Sequence, residues 1–196
     1  MTVAGLLLAA GGGRRFGGPK ALAVLDGELL VERGERLLAQ GGCDPVVVVL
    51  GAAAEEVLAA VALSGAVVAS DWEDGLSASL RAGLGALESG AATGCVIALV
   101  DQPGIGAEAV ARLLAAHDAG AVAAVATYEG VARNPVLLGR GVWSEVAAAA
   151  AGDAGARHWL RAHPELVTAV PCDGTGLPID VDTREDLAGL TSDSPT

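Results

Sequence analysis

The sequence has little positive charge. Its 196 residues include 12 Lys and Arg against 24 Asp and Glu, a formal net charge of −12, and Lys20 is the single lysine. Nucleic acids and anionic membrane surfaces bind basic patches, and no basic stripe interrupts this acidic sequence, so we expect neither as a partner. An anionic small molecule would have to be attracted by a few local cations or by a divalent metal ion.

Cysteines and long apolar runs are also scarce. Cys43, Cys95 and Cys172 lie far apart and form no CxxC pair, which argues against a disulfide framework or a zinc knuckle and favours a reducing compartment. The first apolar run, residues 3–10, is not preceded by a basic residue and does not resemble a secretion signal. No run approaches the ~18 apolar residues that cross a bilayer. We therefore expect a cytoplasmic protein.

Aliphatic residues are abundant, because 52% of the chain is hydrophobic and only 3% is aromatic. Apolar runs of strand length alternate with helical patterns. The pattern predicts strands at residues 3–9, 45–50, 66–69, 95–100, 121–126, 135–138 and 166–170, and helices at 29–38, 53–62, 76–87, 107–119, 142–150, 154–163 and 183–190. Thr183 and Asp186 have the spacing of a capping box for the last helix.

This alternation predicts a single α/β domain over residues 1–190, with a Rossmann-like, three-layer α/β/α architecture and a mostly parallel sheet. Residues 191–196 are polar, and we expect them to form a disordered tail. Ligands of such sheets bind beyond the carboxyl ends of the strands. The loops that follow residues 10, 69 and 100 are therefore the candidate ligand loops.

The first of these loops, GGGRRFGGPK at residues 11–20, is suited to phosphate groups. Glycines let backbone N–H groups approach phosphate oxygens, and Arg14, Arg15 and Lys20 add three cations. The loop is not a dinucleotide fingerprint, because Phe16 occupies the sixth position of GxGxxG. It is not a P-loop either, because Pro19 precedes Lys20. A solvated turn with surface arginines is the alternative.

Carboxylates occur in two segments that could together form a metal site. Asp101 directly follows the predicted strand 95–100, and Asp180 and Asp182 would share one face of an extended segment. Together they would suit a hard cation if residues 180–182 return beside Asp101. Helix capping is the alternative for each of them.

Two further segments carry polar groups near predicted helix starts. Gly75, Ser77 and Ser79 would offer free N–H groups and hydroxyls to a ligand, with simple capping as the alternative. Asp153 and Arg157 flank a glycine turn, which is either a substrate loop or a capped helix start.

Taken together, these segments resemble the nucleotidyltransferase family of molybdenum cofactor maturation, which has a MobA-like NTP transferase domain. The matching segments run in family order: LLAAGGGRRFGGPKAL at 7–22, DGLSASLRAG at 74–83, LVDQP at 99–103, RNPVLLGR at 133–140, GDAGAR at 152–157 and DVDTREDL at 180–187. LAAG, GLSASL and DQP resemble the cytidylyltransferase branch more than the guanylyltransferase branch. Gly13 departs from the pattern, since the family commonly has a small polar residue there.

The resemblance implies a fold of the nucleotide-diphospho-sugar transferase type and a Mg²⁺-dependent transfer of CMP from CTP to the terminal phosphate of the molybdenum cofactor, with release of pyrophosphate. It implies as partners CTP, the cofactor and, transiently, a molybdoenzyme or its chaperone. The implied catalytic residues are Arg15, Lys20 and Asp101, and the implied metal ligands are Asp101 with Asp182 or Asp180. The implied nucleotide-binding residues are Leu8, Ala9, Ala10, Gly11, Gly12, Gly13, Arg14, Lys20, Gly75, Ser77 and Ser79, and the implied substrate-binding residues are Asp153 and Arg157.

Three alternatives stay open at this stage. The sequence is also similar to NAD(P)H-dependent oxidoreductases of the nicotine blue type, although the GxGxxG fingerprint is missing. The same fold would serve nucleotidyl transfer to a sugar phosphate or another phosphate acceptor. A non-catalytic carrier that binds the cofactor and hands it to an apoenzyme is the third, and metal-dependent release of pyrophosphate separates it from the transferases.

Overall fold

A computed structural model describes residues 2–192, and in them a seven-stranded sheet is covered by helices on both faces. The strands are β1 (Val3–Leu8), β2 (Val24–Leu25), β3 (Glu28–Leu29), β4 (Val46–Leu50), β5 (Ala66–Val68), β6 (Gly94–Leu99), β7 (Ala123–Tyr128), β8 (Val131–Gly139) and β9 (Val167–Pro171). The α-helices are α1 (Leu30–Gln40), α2 (Ala54–Ala60), α3 (Leu76–Leu87), α4 (Ala107–Asp118), α5 (Trp143–Ala149), α6 (Arg157–Ala162) and α7 (Arg184–Ser192).

The order of strands in the large sheet is β5-β4-β1-β6-β8-β7-β9, and β2 pairs with β3 in a separate hairpin. In the large sheet β8 alone runs antiparallel to its neighbours β6 and β7. The predicted three-layer α/β class with a mostly parallel sheet is therefore confirmed. Leu8 of β1 lies opposite Leu99 of β6 in parallel register, so the loops after these two strands leave the same edge of the sheet.

The continuous apolar strands reflect burial on both faces of the sheet. All six residues of β1 are buried. Leu7 packs in the cluster that contains Val110 of α4, whereas Leu6 packs in the opposite cluster with Leu84 of α3 and Val146 of α5. Neighbouring residues of a strand point to opposite faces of the sheet. When both faces are covered by apolar helices, every position of the strand is apolar and the sequence shows no alternation of apolar and polar residues.

Two hairpins differ from the sequence prediction. Asp26 and Gly27 have φ angles of 53° and 83° and form the two-residue turn between β2 and β3, so the helix predicted from residue 29 begins one residue later. Glu129 and Gly130, also with positive φ, join β7 to β8. The strands predicted at 121–126 and 135–138 were too short at this turn, because β8 begins with a short, mostly exposed segment, VARN, whose two apolar and two polar residues form no continuous apolar run.

The predicted capping box at the last helix is confirmed. The Thr183 N–H donates to Asp186 Oδ2 at 2.8 Å, and the Asp186 N–H donates to Thr183 Oγ1 at 3.2 Å. The helix continues to Ser192, into the segment predicted as a tail, and residues 193–196 of that segment lie outside the described residues. Among residues 2–192, no helix is long and apolar enough to cross a membrane.

Candidate active site

The Lys20 ammonium lies between two carboxylates at the carboxyl edge of the sheet. Its Nζ is 3.1 Å from Asp101 Oδ2 and 2.9 Å from Asp182 Oδ1. The Arg15 guanidinium lies 2.9 Å from the other oxygen of Asp182. The side chain of Lys20 is only 14% exposed, whereas that of Arg15 is 76% exposed. The three residues predicted to be catalytic, Arg15, Lys20 and Asp101, therefore form one cluster with Asp182.

Backbone hydrogen bonds bring the C-terminal segment to this cluster. The Gly106 N–H donates to the carbonyl of Thr175 at 2.8 Å, and the Val181 N–H donates to the carbonyl of Asp101 at 2.7 Å. A Cβ on Gly106 would stand 2.2 Å from the Thr175 carbonyl oxygen, so the close approach requires glycine there. Residues 180–182 thus return beside Asp101, as the sequence-based metal-site hypothesis required.

The charged groups of the cluster shift one another's pKa values. Burial alone would lower the pKa of Lys20, but the adjacent Asp101 and Asp182 carboxylates outweigh it, and the pKa is raised. Burial raises the pKa of Asp101, and the Lys20 ammonium offsets part of this effect. The hydrogen bond from Lys20 lowers the pKa of the more exposed Asp182. Lys20 is therefore cationic at neutral pH, and Asp182 ionises more readily than Asp101.

The carboxylates of the cluster fit a divalent cation. Asp101 Oδ1 is buried and has no hydrogen-bond partner among the described residues. Mg²⁺ is commonly held by one or two carboxylates together with substrate phosphates, and Asp101 and Asp182 supply such a pair. Residues 2–192 contain no preassembled group of three or more His, Cys, Asp or Glu ligands. Asp180, the predicted alternative to Asp182 as a ligand, accepts a hydrogen bond of 2.7 Å from Gln102 Nε2, and its role as a ligand stays a prediction.

A cavity of about 580 Å³ lies over the glycine-rich loop, and we call it the glycine-loop cavity. Of the predicted nucleotide-binding residues, those that line it are Leu8, Ala10, Gly11, Gly12, Gly13, Arg14, Lys20, Gly75 and Ser79. Trp72 and Glu73 also line it, although the sequence analysis did not place them in the site. The cavity joins residues of all three candidate ligand loops to the start of α3.

Two of the predicted nucleotide-binding residues do not line this cavity. Ala9 is buried in the core, and its N–H continues the sheet by donating to the Val49 carbonyl at 2.9 Å. Ser77 is buried, with 1% of the residue exposed. Residues two positions apart on a helix point to different sides, so Ser77 cannot share the cavity-facing side of α3 with Ser79. Neither Ala9 nor Ser77 lines the cavity in this structure, and their role in nucleotide binding stays a prediction.

Gly13 closes the glycine-rich loop. Its carbonyl accepts hydrogen bonds from the N–H groups of Gly17 at 2.9 Å and Gly18 at 3.2 Å. Its φ angle is 58°, and a Cβ there would stand 1.8 Å from the Gly18 carbonyl oxygen. The observed loop therefore excludes any side chain at residue 13, which gives a physical reason for the departure from the small polar residue of the related sequences.

We expect Gly13→Ala to lower the affinity for nucleoside triphosphate by about tenfold or more, since the backbone must move away from a left-handed conformation that costs about 1–2 kcal/mol for an L-residue. Isothermal titration with CTP measures the effect. Gly141→Ala is the matched control, because its Cβ would meet no atom within 4 Å, its φ is not positive and it lines neither cavity of the site. Equal affinities of the two variants would contradict the assigned role of Gly13.

A second cavity of about 540 Å³ adjoins the first. Seven residues line both: Leu8, Arg15, Leu76, Leu99, Asp101, Asp153 and Asp182. Of the predicted substrate-binding residues, Asp153 lies in this shared wall, where its Oδ1 accepts a hydrogen bond of 3.4 Å from the Leu76 N–H, and Arg157 lines the second cavity alone. The Asp101–Lys20–Asp182 cluster thus stands where the two cavities meet.

Sequence reasoning did not select several residues of the second cavity as site residues. They are Gln102, Arg133, Asn134 and Arg161. Gln102 follows Asp101 directly, and Arg133 and Asn134 begin the RNPVLLGR segment, so a local signal existed for three of the four. Arg161 lies one helical turn after Arg157 on α6, and its position depends on how that helix packs.

Residues 5–167 match the model of the MobA-like NTP transferase domain. The chain belongs to this family. It is 40% identical over 198 residues to the nicotine blue oxidoreductase of Paenarthrobacter nicotinovorans, with 96% of each chain covered. The family expected from the sequence resemblance is therefore confirmed, and this family includes a member that is named as an oxidoreductase.

Solved structures agree with this assignment. The crystal structure of Rv0371c from Mycobacterium tuberculosis H37Rv has 32% identity and a TM-score of 0.87, covering 99% of this chain and 100% of that one. A manganese complex of Rv0371c has 30% identity and a TM-score of 0.83, with the same coverage. The relative thus carries a divalent metal in at least one solved structure.

Proposed function

We propose that the protein is a divalent-metal-dependent nucleotidyltransferase that moves CMP from CTP to the terminal phosphate of the molybdenum cofactor and releases pyrophosphate. The observation that carries the proposal is the meeting of two cavities of similar volume at the Asp101–Lys20–Asp182 cluster. Group transfer requires two substrates to be held with their reacting atoms adjacent. A cavity on each side of one charged cluster supplies this arrangement.

The glycine-loop cavity suits the triphosphate of the donor nucleotide. It combines backbone N–H groups of a glycine-rich loop with the cations Arg14, Arg15 and Lys20, in a chain whose net charge would otherwise repel phosphates. The choice of CTP rests on the resemblance of the LAAG, GLSASL and DQP segments to the cytidylyltransferase branch.

The reaction needs no protein base, because the attacking phosphate oxygen is already ionised. That oxygen forms a bond to the α-phosphorus of CTP while the bond to the β-phosphate oxygen breaks, and the leaving pyrophosphate takes up the negative charge. Lys20 and Arg15 lie where they would stabilise this charge. Asp101 and Asp182 would hold Mg²⁺ or a similar ion, which would neutralise phosphate charge. Cytoplasmic location and transient contact with a molybdoenzyme or its chaperone stay predictions.

The proposal is tested by measuring pyrophosphate release from purified protein with Mg²⁺, the molybdenum cofactor and each of CTP, GTP, ATP and UTP. We expect release with CTP that depends on both metal and cofactor. Absence of release with every nucleotide, using cofactor that is competent with another enzyme, would reject the proposal. Release with a sugar phosphate in place of the cofactor would keep the chemistry and change the acceptor.

A second candidate function is reduction of a quinonoid pigment by NAD(P)H, which the 40% identity to a nicotine blue oxidoreductase favours. Hydride transfer does not require a lysine bridging two carboxylates beside a glycine-rich loop, and the GxGxxG fingerprint is absent from the sequence. Dye-dependent NAD(P)H oxidation without any pyrophosphate release would establish this candidate over the transferase.

A further inference from the structure

Four of the eleven arginines make no ion pair, side-chain hydrogen bond or ring contact within residues 2–192. The other seven each have such a partner: Arg15, Arg33, Arg36, Arg81, Arg112, Arg140 and Arg184. The four without one are Arg14, Arg133, Arg157 and Arg161. Arg14 lines the glycine-loop cavity, and the remaining three line the second cavity. The unpaired guanidinium groups are therefore concentrated at the two cavities.

The three unpaired arginines of the second cavity come from two elements. Arg157 and Arg161 lie four residues apart on α6 and so share one side of that helix. Arg133 lies on β8, three residues before Val136, which pairs with Ile97 of β6. Since β8 is antiparallel to β6, Arg133 lies toward the sheet edge at which Asp101 follows β6. Three like charges that line one cavity without acidic partners repel one another, and a bound anion would relieve the repulsion.

We propose that Arg133, Arg157 and Arg161 bind a phosphate group of the acceptor and so determine which acceptor the protein uses. The inference rests on the proposed function, and it adds Arg133 and Arg161 to the expected role of Arg157. A guanidinium presents its N–H donors in a planar fork that matches phosphate oxygens. Four carboxylates also line this cavity, but none of them forms an ion pair with these three arginines within residues 2–192: Asp101 and Asp182 pair with Lys20, Asp153 accepts from the Leu76 N–H, and Asp180 accepts from Gln102.

Gln102 adds a second requirement on the ligand. It is 5% exposed and lines the second cavity, and its Oε1 has no hydrogen-bond partner among the described residues. Its Nε2 donates to Asp180 Oδ1, and because a carboxylate oxygen accepts and does not donate, this contact fixes the amide oxygen as the free end. A buried carbonyl oxygen without a partner is unfavourable unless a ligand donates to it. The acceptor should therefore carry an N–H or O–H donor as well as a phosphate.

The test compares equilibrium binding of the molybdenum cofactor and of its dephosphorylated form, without nucleotide, to the wild type and to Arg133→Ala/Arg161→Ala. The wild type should prefer the phosphorylated form by at least about tenfold, and the double variant should lose most of that preference. Arg133→Lys/Arg161→Lys should restore part of it. Arg36→Ala, which removes an exposed arginine paired with Glu28, is the matched control and should leave the preference unchanged.

Steady-state kinetics separate this inference from the proposed function. Where transfer occurs, the double alanine variant should raise the KM for the acceptor by about tenfold for each guanidinium removed, with the KM for CTP unchanged. An unchanged acceptor KM, or equal binding of the two cofactor forms by the wild type, would overturn the inference. Phosphate-dependent binding that the alanine variant weakens, in a protein that releases no pyrophosphate, would support the anion site and reject the transferase.

Discussion

Asp101→Asn is expected to lower pyrophosphate release by at least about a hundredfold without loss of the fold, since charge stabilisation of this kind is typically worth that much in rate. Asparagine has the shape of aspartate but lacks the charge that attracts a divalent cation. Asp101 lies just beyond β6, with one carboxylate oxygen on Lys20 and the other without a hydrogen-bond partner in residues 2–192. The rate at saturating CTP and cofactor, measured across a Mn²⁺ or Mg²⁺ titration, gives the result.

The stability of this variant is the companion measurement. Burial raises the pKa of Asp101, so the ionised carboxylate disfavours folding at pH values above its unfolded pKa, and the ion pair with Lys20 offsets part of this. Removing the charge removes both effects, and we expect Tm at neutral pH to change by only a few degrees. Asp118→Asn, at the far end of α4, is the control for loss of one negative charge. Full activity of Asp101→Asn would remove Asp101 from the metal site.

The fold could be predicted because its central strands, β1, β4 and β6, have no polar side. The segment that forms β1 is buried throughout, and a wholly apolar run of that length followed by a glycine-rich loop indicates a buried strand of an α/β sheet. The β2–β3 hairpin was missed although Asp26-Gly27 is a known turn signal, because strands of two residues carry no periodicity. The direction of β8 could not be predicted, since strand direction depends on pairing rather than on composition.

The candidate site could be predicted as a set of residues but not as a geometry. Lys20 is 81 residues from Asp101 and 162 from Asp182, and no local pattern specifies that one ammonium contacts both. Helix geometry, by contrast, was available from the sequence: the side chains of Ser77 and Ser79 point to different sides of α3 once that helix is predicted over both. Nor could the sequence predict which arginines lack a partner, because the partners of the other seven are assigned only by the three-dimensional structure.

Lys20→Met is expected to lower kcat by at least about a hundredfold while changing the KM for CTP by less than about tenfold. Methionine keeps an unbranched apolar stem in a position that is 14% exposed, so the packing is retained and the charge is lost. The negative charge that Lys20 would stabilise grows on the leaving pyrophosphate during transfer, and so the rate should suffer more than the binding. Arg36→Met, at an exposed ion pair, is the control for loss of one cation.

Metal binding to the free protein tests the same residue independently of turnover. The Asp101 and Asp182 carboxylates raise the pKa of Lys20, so the ammonium is fully present at neutral pH, and its stabilising contribution is lost only as the pH rises through that raised value. In the free protein the Lys20 ammonium is therefore paired with Asp101 and Asp182, the carboxylates that would hold the divalent cation, and it competes with that cation for them. Lys20→Met should bind Mn²⁺ severalfold more tightly than the wild type despite its lower rate. Weaker Mn²⁺ binding together with an unchanged kcat would show that Lys20 maintains the geometry of the carboxylates and has no role in the transfer itself.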